Sequence, residues 1–245
     1  MHRRGFLLGC TALGACDSVA LARSIEASAD RRSGGRSEDV PRAWTRSLLV
    51  DPHGQPLKAG EIPERRTLLF HYPFVGTPAF LLNLGRPTRR AVELQTEDRD
   101  RYTWAGGVGA RRSVVAFSAI CAHKLAYPTR EISFIDFRAD ASPASRHRDV
   151  IHCCAEHSQY DPADGARVLS GPAQQPLAAI VLEHEPATDR LYATATQGGE
   201  LFERFFASFE MKLSLEHGDR AMQPSADVCV VQPIEAYCRQ LMRCA

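Results

Sequence analysis

Cys121-Ala122-His123, and about 30 residues further on Cys154-Ala155-Glu156-His157 followed by Ser158-Gln159-Tyr160-Asp161, decide how this chain is read. In the first stretch a thiol and an imidazole stand two positions apart, in the second three apart. Thiolate sulfur and imidazole nitrogen are donors for zinc, copper and iron. Such spacings let one loop offer one of each. Two loops then supply four ligands, enough for a tetrahedral zinc ion or for a two-iron cluster with two Cys on one iron and two His on the other.

Residues further out favour iron and sulfur over zinc. Ser158 and Tyr160 put hydroxyl groups beside the second loop, Gly171-Pro172-Ala173 arrives next with Pro176-Leu177 behind it, and Ala178 to Leu182 resumes a strand. Taken together, this resembles the Rieske [2Fe-2S] family, whose pattern is Cys-x-His, then Cys-x2-His, then a Gly-Pro-Ala loop ending in Pro-Leu. The resemblance covers roughly residues 113–196. It implies a mainly β fold, with a small β-sheet domain carrying two cluster-binding loops, and a [2Fe-2S] cluster as cofactor. By the same resemblance Cys121 and Cys154 bind the inner iron, His123 and His157 bind the outer iron near the surface, and the Gly171-Pro172 loop covers the cluster as a third flap. Ser158 and Tyr160 are then the candidate donors to the cluster sulfurs, which stabilise the more negative reduced state.

Three features depart from the family pattern. A disulfide between the two ligand loops is missing, because the matching positions are Ala126 and Glu156, so something else must brace the loops. Tyr160 falls one residue early: counting back from it selects Cys153 as the ligand, whereas counting back from His157 selects Cys154. The Cys-x2-His spacing makes Cys154 the expected ligand. Finally, the polar run 138–149 reads as an exposed insertion between the loops.

The flanking sequence gives the domain plan. Residues 1–22 read as an export signal. Arg3-Arg4 followed by Phe6-Leu7 resembles a twin-arginine leader, cleavage falling before Cys16 in a lipobox-like context or after Ala22. Residues 23–42, poor in apolar side chains, read as a flexible tether. Residues 43–197 form the β domain, with strands expected at Thr67–Phe70, Ala79–Leu82, Ser113–Phe117, Ile132–Phe137, Ala178–Leu182 and Leu191–Thr196. Residues 198–245 form a C-terminal helical extension, because Leu201, Phe202, Phe205, Phe206 and Phe209 recur at helical steps. A second short helix is expected from Ile234 to Met242.

Composition narrows the function. A net charge of +1 with dispersed Lys and Arg excludes nucleic acid as the default partner. Eight cysteines suit a metal site, an oxidising compartment or both. Beyond the two ligands, and Cys10 and Cys16 in the expected export signal, Cys153, Cys229, Cys238 and Cys244 remain, and a disulfide joining Cys238 to Cys244 or Cys229 is expected to staple the tail. Asp149, His152 and His157 match the spacing of a mononuclear iron site, but the match reuses His157 and the chain lacks room for an oxygenase domain. His71, His152 and His184 read as ordinary histidines, since no partner set accompanies them.

The chain is therefore expected to carry single electrons on the periplasmic side of a bacterial cytoplasmic membrane, held there by an N-terminal anchor or lipid. Its partner is a cytochrome, an oxidoreductase subunit or a quinol. The alternatives are a Rieske subunit of a larger oxidoreductase (quinol–cytochrome c reductase or an arsenite-oxidase-like molybdoenzyme) and a non-redox zinc protein. In none of the redox readings is it a stand-alone catalyst.

Overall fold

The computed structural model describes residues 40–244. The expected export signal and nearly all of the tether lie outside these residues. In chain order the strands are β1 (Arg42–Val50), β2 (Thr67–His71), β3 (Pro78–Asn83), β4 (Val92–Gln95), β5 (Arg101–Trp104), β6 (Val114–Ser118), β7 (Ile132–Ser133) and β8 (Ile135–Arg138). They continue with β9 (Val150–Cys153), β10 (Ser158–Asp161), β11 (Arg167–Ser170), β12 (Ala179–Glu185), β13 (Arg190–Gln197), β14 (Val228–Val230), β15 (Gln232–Pro233) and β16 (Gln240–Leu241). Helix α1 spans Phe202–His217 and α2 spans Ile234–Tyr237.

The fold is mainly β. Eight strands in the order β14-β1-β13-β12-β6-β3-β2-β15 form one large sheet. Its two edge strands, β14 and β15, are separated in sequence only by Val231, so the sheet curls until the chain itself joins its edges. Strands β3 and β6 are buried at every position, which is why they read as unbroken apolar runs. A second sheet, β11-β10-β9-β8, sits over one face of the first. Side chains from both sheets share one core: Phe80, Val115 and Phe117 from the large sheet meet Ile135, Ile151 and Tyr160 from the small one. Cys121 and Cys153 lie within that same core.

Two expectations are corrected here. The run Ile132–Phe137 breaks at Phe134, whose side chain is 36% exposed and whose carbonyl accepts from Cys154 N at 2.6 Å. The break sends β7 to the C-terminal tail and β8 into the small sheet. The segment after residue 198 is also less helical than expected. After α1 the chain returns to the large sheet, β14 running parallel to β1 and β15 antiparallel to β2. The helix expected from Ile234 to Met242 stops after one turn, because Arg239 N and Gln240 N donate to the carbonyls of Arg130 and Glu131. The tail is thereby drawn into β16, alongside β7.

The phenylalanine stripe on α1 faces inward. Phe202, Phe205, Phe206 and Leu213 pack with Ile120, Leu125 and Tyr127, residues that flank and belong to the first ligand loop. Phe205 meets the Tyr127 ring edge-on at 4.8 Å. The stripe is thus core rather than a partner surface, and it seats that loop. Phe205→Ala is expected to destabilise the protein by about 3–5 kcal/mol, read from the midpoint of urea unfolding.

Burial, reinforced by the neighbouring His217 and Arg130, holds His71 down at about 4. An unfolded histidine titrates near about 6.5, so between these values the unfolded chain binds more protons than the folded one. Stability is then fullest above about pH 6.5 and falls as pH drops toward 4. The urea midpoint should decline across that window, and His71→Gln should make the decline shallower.

Candidate metal centre

The two ligand loops are built alike. The first is closed by a bond from Cys121 N to Ala126 O at 2.9 Å. The second is the tip of the β9–β10 hairpin, closed where Cys153 pairs with Ser158. In both, the residue four positions after the first cysteine takes the left-handed conformation: Leu125 at φ 58° and His157 at φ 60°. Both turns aim backbone N–H groups at their own sulfur, His123 and Lys124 at Cys121, Ala155 and Glu156 at Cys153. Such concave nests of amides favour negative charge.

The sulfurs of Cys121 and Cys153 face each other within hydrogen-bond reach, at 0% and 1% exposure. Cys121 is drawn toward the thiolate, first by the hydrogen bond from Cys153 and then by Tyr160 and the two amides, against a burial that opposes it. Cys153 is pushed up by that same bond, with burial and the Cys121 charge adding. The Tyr160 oxygen accepts from Ala122 N at 3.1 Å and lies 3.3 Å from Cys121 Sγ. To a Cys121 thiolate, which has no proton of its own, the phenol is the donor.

A third segment closes over the loops. Ser158 Oγ, fully buried, accepts from Ala173 N at 3.2 Å, which leaves its own proton free to donate. Gly171 has φ 89°, and a Cβ there would stand 2.5 Å from Ser158 Cα. Only glycine lets the Gly171-Pro172 turn lie this close to the second loop.

The expected ligands do not all converge. Cys154 is corrected: its sulfur is bonded to Cys244 in a disulfide across 90 residues of sequence, and a sulfur so bonded has no thiolate to give. The residue that meets Cys121 is Cys153, the one selected by counting back from Tyr160. The expected tail staple is corrected with it. Cys238 and Cys229 are both unpaired and buried in different cores, so neither reaches the other or Cys244.

His123 lies half-buried beside the first sulfur, with its Nδ1 buried and without a hydrogen-bond partner. His157, exposed at the hairpin tip, has its ring 5.6 Å from that of His152. Glu156, one position earlier, is the tip residue on the first-loop side, 3.8 Å from Lys124 Nζ. Asp149 is held by Arg65 at 2.9 Å, so the mononuclear-iron spacing does not assemble. His184 is bonded to Asp189 at 2.7 Å. No local sequence pattern announces the burial of His152 or the placing of Glu156 across from Lys124.

No protein-family model matches the chain. Among solved structures it is similar to the soluble domain of the Rieske protein II from Sulfolobus acidocaldarius, at 23% identity over 64% of this chain and 82% of that one, with a TM-score of 0.43.

Two outcomes follow from this geometry. Gly171→Ala should detach the flap from Ser158, seen as faster hydrogen exchange at Ala173 N. Cys244→Ser removes a bridge closing a long loop and is expected to cost about 2–5 kcal/mol, measured by urea unfolding without reductant.

Proposed function

We propose that the chain is a one-electron carrier holding a Rieske-like [2Fe-2S] cluster between its two hairpin loops. The observation that supports this is the buried pair Cys121 and Cys153, each sulfur set in its own amide nest and turned to the other. Among the described residues, no third His, Cys, Asp or Glu donor joins these two sulfurs at the spacing of a single ion. A site for two metals, with further donors set wider apart, fits this arrangement better than one tetrahedral zinc.

The donors fit the group in the following way. Cys121 and Cys153 would hold the inner iron. His123 would hold the outer iron through its ring, whose buried Nδ1 has no other partner. The fourth ligand would come from the tip of the second loop, where Glu156 lies on the side of Lys124 and His157 on the side of His152. We favour Glu156. When bound, the cluster accepts and returns a single electron.

The residues of the chain set the conditions for that transfer. Tyr160 and the amide nests stabilise added negative charge at the sulfurs, which raises the potential. A carboxylate in place of one imidazole adds negative charge at the outer iron and lowers it, toward the low end of the about −150 to +300 mV span of Rieske centres. It also leaves one ligand imidazole rather than two to lose a proton on oxidation, which weakens the pH dependence of the potential.

We place this carrier outside the cytoplasmic membrane. The Cys154–Cys244 disulfide suits an oxidising compartment, as does the Arg3-Arg4 leader, which lies outside the described residues. No helix among the described residues is long and apolar enough to cross a membrane. The electron partner in this reading is a cytochrome, an oxidoreductase subunit or a quinol.

Iron, acid-labile sulfide and low-temperature EPR of the reduced protein test the reading. Cys121→Ser and Cys153→Ser should lose the cluster, and Cys154→Ser should keep it. Loss in Cys154→Ser with retention in Cys153→Ser would overturn the assignment, and zinc without sulfide in the native protein would overturn the function. Pulsed EPR should show one coordinating imidazole, abolished by His123→Gln and unchanged by His157→Gln.

A further inference from the structure

A second set of metal donors lies on the outer face of the small sheet. Side chains alternate along a strand, so His152 points away from the face that carries Cys153. His152 is 1% exposed, yet its Nε2 is buried with no hydrogen-bond partner. His157 swings back from the hairpin tip to stand beside it. Cys244 reaches the same place from the C-terminal tail, which is fixed by Met242 N on Ser133 O at 2.9 Å and by the Arg138 guanidinium on the Met242 carbonyl. One donor atom from each of His152, His157 and Cys244 lies within 4.8 Å of the others.

Two imidazoles and a thiolate form a zinc donor set. Zinc bonds of about 2.0–2.3 Å need these atoms only about an ångström closer together, a movement within reach of the exposed His157 ring. What the set lacks is the thiolate, because Cys244 is tied to Cys154.

We propose that reduction of the Cys154–Cys244 disulfide opens a zinc-type metal site made by His152, His157 and Cys244, separate from the Cys121–Cys153 centre. The disulfide takes up two electrons and two protons to give two thiols. A dithiol supplies both and is itself oxidised to a disulfide. The Cys244 thiol then releases its proton as the sulfur–metal bond forms, and water or the freed Cys154 takes the fourth position. Both cysteines are half-exposed, so a reductant can reach them. The site thus takes up a divalent cation only under reducing conditions, and it rests on the reading in which His157 is not a cluster ligand.

The test is zinc uptake by the iron-loaded full chain, in competition with a chromophoric chelator and with iron counted on the same samples. Oxidised wild type should take up no additional zinc, and wild type reduced with a phosphine should take up one equivalent. Cys154→Ser frees Cys244 without any reductant, so it should bind one zinc as isolated. Adding His157→Gln or Cys244→Ser should weaken that binding by more than the about 10–100-fold that loss of an outer-shell partner costs. Because His157 is exposed, its variant should fold even if one at His152 does not. Absence of uptake in both reduced wild type and Cys154→Ser would overturn the proposal. So would uptake that persists in the His157→Gln and Cys244→Ser backgrounds. The iron count in Cys154→Ser reports separately on the cluster assignment.

Discussion

Two thiols buried face to face in an apolar core are a demand that the rest of this fold meets. Neither sulfur has access to water, so any charge on the pair must be answered from within the protein. The answer comes from four backbone N–H groups, two from each loop, and from the Tyr160 hydroxyl. The left-handed residues Leu125 and His157 fix the turn shape that aims those amides. The small sheet exists in this arrangement to bring the second turn over the first.

Each loop is then held from behind, and by different means. The first rests on the phenylalanine face of α1, an apolar contact insensitive to redox conditions. The second is tied at Cys154 to a C-terminal tail that crosses the outer face of the small sheet. Neither brace joins one loop to the other; between themselves the loops meet without a covalent bridge, at the Cys121 and Cys153 sulfurs and at the Lys124–Glu156 pair. The chain beyond residue 198 therefore serves the metal centre from two sides, even though no residue in it is a cluster ligand in this reading.

The same hairpin tip faces two ways. Its first-loop side carries Glu156, and its tail side carries His157 and the disulfide, with His152 buried beneath. Donors separated by a single peptide bond thus lie on opposite sides of one turn. The side a donor takes is therefore not legible from its spacing in sequence.

Much of this was legible in the residues alone. The mainly β character, the cores of five of the six expected strands and the inward stripe of α1 follow from local pattern, because periodicity is a local property. The choice between Cys153 and Cys154 was not local. Adjacent residues in a strand and its turn point in different directions, so only the pairing of Cys153 with Ser158 sends one sulfur into the core and the other to the tail. The partner of Cys154 lies 90 residues away, and the burial of His152 depends on a sheet and a tail that no spacing describes. Sequence determined which donor atoms the loops possess; the tertiary structure decided which way each one faces, because side-chain direction is set by strand register and by contacts between distant segments.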